Sequence, residues 1–312
     1  MNNKTILIGP TGFLGPSFLK KNPSIIAVGR SGLPDYLDND YLHIEDDLDF
    51  KKLDKLDFDN VIFLIGSSDH HILNASPSMA IEKNVLALSR FLWYLRDTKR
   101  SVKKIINFTT MLQYDTKKMT LPCNESQPRN PSVNNYVLSK FVSELITEQH
   151  RDIFSIIDVR ISNVYGPTKL MRPDIVPSTT WSLLAGIKTS VWTKKPKRDF
   201  IYVDDAVEAV IKLLDTDYSG PVNLGSGTLS SVNDICIKLE ELSGANILDQ
   251  NLSVSGHMEF VQDISLIKSL IDWSPKKSLD EGLEITYYKM KDYFQEPYIR
   301  NNIINYFKQN TI

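Results

Sequence analysis

Short apolar runs recur through the first two-thirds of the chain, at Lys4–Gly9, Ser24–Gly29, Asn60–Gly66, Lys103–Thr110 and Phe154–Arg160. None alternates strictly between apolar and polar positions, and continuous runs of this kind suit strands covered on both faces. Stretches with helical spacing lie between them, most clearly at Ser78–Thr98 and Asn134–His150, and a further strand is expected near Tyr41–Ile44 in the acid-rich stretch Asp35–Asp59. Strand–helix alternation predicts an α/β fold built on a doubly wound parallel sheet. After about Gly166 the rhythm changes, as Pro167, Pro173, Pro177, Pro196 and Pro221 punctuate shorter elements. Helices are expected there at Asp204–Asp215 and Ser231–Ser243, and the tail Asp280–Ile312 is helical in character. We read a first domain over residues 1–165 and a smaller α/β lobe over 166–312, with the chain re-entering the first domain around 199–225.

Composition narrows the class. The 312 residues suffice for two domains of roughly 150 residues each. Lys and Arg number 36 against 38 Asp and Glu, so the net charge of −2 argues against a protein that binds nucleic acid through a basic field. No apolar run approaches the ~18 residues a membrane span needs. The N-terminus MNNKTILIGP enters a strand pattern at once and leaves no room for a leader. Two cysteines, Cys123 and Cys236, cannot build a disulfide framework. The expectation is a soluble, reduced, cytoplasmic protein.

Gly9-Pro-Thr-Gly12-Phe-Leu-Gly15 follows the first strand directly and opens a helical pattern. Glycines at such a turn let the backbone approach a pyrophosphate, while the helix start offers unpaired N–H groups. Dinucleotide binding is therefore expected. The second strand ends in Gly29, Arg30 and Ser31, with no acidic residue until Asp35. An acid there would suit a free ribose 2′-OH and an arginine a 2′-phosphate, so NADP(H) is favoured, with NAD(H) the alternative.

Tyr136-Val-Leu-Ser-Lys140 starts a helical pattern, and its spacing puts phenol and ammonium on one face. A neighbouring lysine charge favours phenolate, which would lower the tyrosine pKa and suit it as general acid/base for an alcohol–ketone pair. Thr109 and Thr110 end the strand KKIINFTT at the carboxyl edge, where parallel sheets meet ligands. Arg160-Ile-Ser-Asn163-Val-Tyr-Gly-Pro167, Arg198-Asp-Phe-Ile-Tyr-Val-Asp-Asp205 and Asn223-Leu-Gly-Ser-Gly227 follow in order.

Together these motifs resemble the extended short-chain dehydrogenase/reductase family, in its NAD(P)-dependent sugar-nucleotide epimerase/dehydratase/reductase branch, from about residue 4 to about 285. The resemblance implies a Rossmann-type sheet with a substrate lobe. It implies Tyr136 as acid/base, Lys140 tuning it and binding the nicotinamide ribose, and Thr110 (or Thr109, one register away) holding the substrate oxygen. Gly9, Thr11, Gly12, Phe13, Leu14 and Gly15 would cradle the pyrophosphate. Asp47 and Leu48 would flank adenine, Gly66 and Ser67 would lie along the cofactor, and Asn163 and Arg198 would grip a sugar-nucleotide diphosphate. The helices Ser78–Thr98 and Asn134–His150 would pair across a two-fold axis as a four-helix bundle, making a homodimer.

The reaction is narrowed by what is absent. Family dehydratases carry an Asp-Glu pair after the threonine, where this chain has Met111 and Leu112. Reductases that also epimerise C3 and C5 carry a Cys just past the hydroxyl and a His downstream. Residues 109–114 hold no Cys, and 166–192 hold no His. The reading is an NADPH-dependent reductase of the 4-keto group of a nucleoside-diphosphate 4-keto-6-deoxy sugar, with an NAD-dependent C4 epimerase as the alternative. A third reading, a sensor that binds dinucleotide without turnover, is disfavoured because Tyr136 and Lys140 are both present. His70-His71 lacks a ligand cluster and reads as loop histidines at the cofactor edge, so no metal site is expected. Trp181 and Trp192 are candidates to stack on a base or to pack inside the lobe.

Overall fold

Twelve strands and eleven helices organise the described residues of the computed structural model, which are 3–254 and 258–310. The strands are β1 (Thr5–Ile8), β2 (Ile26–Gly29), β3 (Tyr41–His43), β4 (Asn60–Phe63), β5 (Lys104–Thr110), β6 (Ile156–Ile161), β7 (Asn163–Tyr165), β8 (Ser190–Val191), β9 (Lys197–Tyr202), β10 (Gly220–Leu224), β11 (Leu229–Ser231) and β12 (Leu248–Asp249). The helices are α1 (Gly15–Lys21), α2 (His70–Ala75), α3 (Pro77–Ile81), α4 (Ala87–Asp97), α5 (Asn135–Glu148), α6 (Ile175–Leu184), α7 (Val203–Leu213), α8 (Val232–Ser243), α9 (Ser265–Leu270), α10 (Leu279–Tyr293) and α11 (Pro297–Asn310). Residues 311 and 312 of the expected tail lie outside the described residues, as does the side chain of His71.

Seven strands form one sheet in the order β10-β6-β5-β4-β1-β2-β3, every pair parallel. This is the Rossmann-type α/β architecture. The continuous apolar runs are buried on both faces because successive side chains point to opposite sides. Ile6 and Ile8 enter one core with Val61, Phe63 and Phe91, while Leu7 enters the other with Ile62, Ile106 and Val210. Order 2-1-4 about β1 places a switch point at its carboxyl end, where the glycine turn lies. Beside this sheet, β11-β9-β7 forms a three-stranded sheet and β12-β8 a two-stranded one.

The expected helix Ser78–Thr98 is broken. Pro77 starts α3, and a π-helical turn at Glu82–Leu86 separates it from α4. Apolar spacing does not reveal such a turn, whose extra residue here redirects Asn84 toward the segment after β4. Asn134 caps α5, its side-chain oxygen accepting the Val137 N–H at 2.9 Å. Trp181 is fully buried against Met290, Ile299 and Ile303, whereas Trp192 is 62% exposed. Cys123 and Cys236 are both free and buried. Among the described residues no helix is long and apolar enough to cross a membrane.

Candidate active site

The glycine turn divides its work. Gly9 adopts φ +85°, and a Cβ there would stand 2.9 Å from the Ile65 nitrogen. A Cβ on Gly15 would fall 1.9 Å from the Pro10 carbonyl oxygen, so only glycine lets α1 start against the turn. Gly12 has nothing within 4 Å of its Cβ position and is exposed. Two glycines thus close the turn on itself, and the third keeps open the space a dinucleotide pyrophosphate needs. These residues fit such a cofactor.

At the carboxyl end of β5 the two threonines part company. Thr109 Oγ1 donates to the Val159 carbonyl at 3.4 Å, so its hydroxyl is spent inside the sheet. Thr110 Oγ1 accepts the Leu112 N–H at 3.2 Å and hydrogen-bonds the Tyr136 phenol. Both threonines line the cavity, but of the two hydroxyls it is that of Thr110 that meets Tyr136. One turn along α5, Lys140 Nζ donates to the Phe108 carbonyl at 2.9 Å. Thr110, Tyr136 and Lys140 line one cavity of about 260 Å³ together with Gly12, Phe13, Leu14, Gly66, Ser67 and Asn163.

Burial dominates the electrostatics. It pushes the Tyr136 phenol up to about 12, with the Thr110 hydrogen bond and the Arg172 charge pulling down and Asp174 pushing up. The sequence reading expected Lys140 to bring the phenol down, but its ammonium is turned to a carbonyl and burial wins. Burial also pushes Lys140 itself down to about 8.

Supports hold these groups from behind. Asn84, in the π-helical turn, accepts the Ser67 N–H at 2.7 Å and donates to Ser139 Oγ at 3.0 Å. Ser139 in turn donates to the Tyr136 carbonyl at 2.8 Å, linking the segment after β4 to α5. Farther down α5, buried Glu144 receives Arg160 through both Nε and Nη2. Arg160 Nη1 also donates to Tyr114 Oη at 2.9 Å, and Tyr114 donates to Asn223 of β10 at 2.6 Å. Burial pushes the Glu144 carboxyl up, yet the Arg160 hydrogen bond and charge leave it below its ordinary value.

The other sequence candidates are spread around this centre. Arg30 is exposed at the end of β2 and pairs through Nε with Asp47 Oδ2 at 2.9 Å. The Tyr41 hydroxyl lies 2.5 Å from the Gly29 carbonyl oxygen and 2.7 Å from that of Ser31, fixing this turn. Thr11 and Leu48 are exposed. Asn163 donates to the Asp199 carbonyl at 2.9 Å at the cavity wall. Arg198 is absent from the lining of this cavity. It donates to the Lys197 carbonyl at 3.0 Å, and burial pushes it down to about 10.

One cavity residue, Arg172, escapes the sequence reading, and another, His70, was read only as a loop histidine at the cofactor edge. Arg172 reaches the lining from the loop before α6, its guanidinium 4.3 Å from the Phe13 ring centroid and its Nε 2.7 Å from Asp174 Oδ2. His70 packs against Tyr136, with ring centroids 4.4 Å apart and planes tilted by 52°. The Arg-Pro-Asp tripeptide sits among prolines with no periodicity to flag it, and His70 carries a loop signature only. Among the described residues no group of three His, Cys, Asp or Glu could hold a metal ion.

A parallel sheet with a glycine turn at its switch point, and a Tyr-Lys helix that shares one cavity with it, is the arrangement of a dinucleotide-dependent enzyme. A family model described as "NAD dependent epimerase/dehydratase family" matches residues 6–225, and the chain belongs to that family. It is 30% identical to dTDP-4-dehydro-6-deoxy-D-allose reductase of Streptomyces bikiniensis over 49% of this chain and 49% of that one. It is 28% identical to UDP-glucuronate 4-epimerase of Thermodesulfobacterium geofontis (strain OPF15), over 68% of this chain and 66% of that one. The matches span about half to two-thirds of the length of these curated relatives. UDP-glucose 4-epimerase from Thermotoga maritima, solved with UDP-glucose, superposes with a TM-score of 0.83 at 22% identity, covering 93% of this chain and 99% of that one.

Proposed function

We propose that the chain reduces the 4-keto group of a nucleoside-diphosphate 4-keto-6-deoxy sugar with NADPH. The carrying observation is the convergence of Thr110, Tyr136 and Lys140 on one cavity that runs to the open Gly12 turn. A bound nicotinamide dinucleotide supplies the hydride. Tyr136, held protonated by burial, gives its proton to the ketone oxygen as that hydride arrives. Thr110 orients the same oxygen, and its hydrogen bond together with the Arg172 charge favours the phenolate that remains. Asn163, Arg198 and Arg172 are the polar groups assigned to the substrate diphosphate. Met111 and Leu112 leave no proton-transfer side chain directly after Thr110, which sets aside 4,6-dehydration. The 30% identity to a named 4-dehydro-6-deoxy sugar reductase supports this reading.

The C4 epimerase reading stays beside it for two reasons, the first being that a 4-epimerase relative is equally similar, at 28% identity over 68% of this chain. Asp47 already neutralises Arg30, which weakens the case for a 2′-phosphate there. The test is to titrate the purified protein with NADPH and NADH and to assay a panel of 4-keto sugar nucleotides. Release of empty protein that prefers NADPH and reduces a keto sugar sustains the proposal. Tightly retained NAD(H) with interconversion of C4 epimers transfers it to the epimerase. In either case we propose a cytoplasmic protein, and a homodimer through α4 and α5, the latter supported by exposed Trp93 and Leu145 on those helices and Leu86 just before α4.

A further inference from the structure

Tyr136, Lys140 and Glu144 stand one turn apart along α5, so the helix that presents the phenol also carries a buried carboxylate. Glu144 does not line the cavity. Its two oxygens take donors from three other segments. Arg160 of β6 gives Nε at 3.2 Å and also Nη2, Arg129 gives Nη1 at 2.9 Å, and Gln113 gives Nε2 at 2.7 Å. Gln113 closes the single turn Met111–Gln113 that Thr110 caps, since Thr110 Oγ1 accepts the Leu112 N–H. One carboxylate therefore grips both the helix that holds Tyr136 and the turn that holds Thr110. Arg160 stands opposite Thr109 in the β5–β6 pairing and anchors the same carboxylate to the sheet.

The Gln113 contact does more than fill space. Its side chain is fully buried, and its Oε1 has no hydrogen-bond partner among the described residues. A buried amide oxygen left without a donor costs stability. An apolar side chain of similar size would avoid that cost, so the amide's contribution lies in the N–H it aims at Glu144. The carboxylate does not need Gln113 for neutralisation, because Arg160 and Arg129 both reach it. What the bond adds is a fixed spacing between the end of β5 and α5. On that spacing depends the hydrogen bond between Thr110 and Tyr136.

We propose that Gln113 and Glu144 are positioning residues, and that the bond between them sets the geometry in which the Thr110 and Tyr136 hydroxyls meet the substrate oxygen. The proposal rests on the roles given to Thr110 and Tyr136 above. It holds for reduction and epimerisation alike, because both reactions use that oxygen. Gln113, like Glu144, is absent from the cavity lining and acts through Thr110. A small displacement of a reacting group from its partner lowers the rate steeply.

The test uses Gln113→Leu in the full chain, alone and combined with Thr110→Ala, and follows turnover of the 4-keto sugar nucleotides and C4 epimers that the wild type accepts. Glu144→Gln is the less informative change, because it leaves Arg160 buried without its countercharge and destabilises the fold. The expected result is that Gln113→Leu unfolds at or above the wild-type temperature, keeps KM within about twofold and loses kcat at least about tenfold. On a Thr110→Ala background the same substitution should change kcat by less than about twofold, since the group it positions is gone. Full kcat in Gln113→Leu overturns the proposal and leaves the catalytic roles of Thr110 and Tyr136 in place. So does a loss of kcat that only follows a fall in thermal stability. Equal losses with and without the Thr110 hydroxyl give Gln113 a purely structural role and also overturn it. A wild type that neither reduces a keto sugar nor interconverts C4 epimers overturns the catalytic reading itself, and this proposal with it.

Discussion

Lys140 carries a charge in a place that resists it. Its pKa in the folded chain is about 8 against an ordinary 10.5, so the unfolded chain binds more protons between those values. Stability owed to this residue therefore rises with pH through that window and is lowest below it. Lys140→Met removes the buried charge, and its stability relative to wild type should be highest at pH 7 and decline toward pH 10. Denaturant unfolding of both proteins at the two pH values checks this, and a constant difference would contradict it. Tyr136→Phe should lower kcat about 10²- to 10⁴-fold while leaving nucleotide-sugar binding intact, measured by steady-state kinetics beside calorimetry. At the other end of the cofactor site, Asp47→Asn frees Arg30 and should raise the NADPH-to-NADH affinity ratio, whereas Arg30→Ala should lower it. Thr110, Tyr136 and Lys140 were legible in the sequence because each stands at a fixed place in a strand end or helix turn. Arg172 was not, and His70 was read only as a loop histidine, since what brings them to the cavity is the course of a loop and a short helix. No local pattern encodes that course.

The elements repeat this lesson with different causes. Strands β1, β2, β4, β5 and β6 were readable because burial on both faces forces continuous apolar runs. The π-helical turn at Glu82–Leu86 was not, because an inserted residue shifts a helix face without changing its composition. That turn brings Asn84 to Ser67 and Ser139, so it ties the segment after β4 to α5. The start of α5 depends on Asn134, two residues before Tyr136, whose side-chain oxygen accepts the Val137 N–H. Asn134→Ala should cost about 1 kcal/mol of stability and lower kcat as well, while Asn134→Asp or Asn134→Ser should restore both. Thermal unfolding with parallel kinetics separates this from a cap that matters to stability alone. In that case kcat would hold while Tm fell.

Across the whole molecule, the faces left over from folding become informative. Met79, Leu86 and Trp93 stand seven residues apart along α3, the π-helical turn and α4, all exposed, with Trp93 at 57%. Leu145 is exposed on neighbouring α5. A large apolar side chain singly exposed needs no explanation, but a row at this interval on packed helices marks a surface that loses free energy in water. Burying it against a second copy would place α5, which carries Tyr136 and Lys140, at the edge of the interface. Two results should follow together. Light scattering should give a mass twice 35.5 kDa for wild type and a single 35.5 kDa for Trp93→Glu. The monomeric variant should also lose activity beyond what its stability explains, because α5 would lack the support of its counterpart. A Trp93→Glu protein that stays dimeric removes α4 from the interface. One that becomes monomeric with full activity keeps the dimer but detaches it from the chemistry.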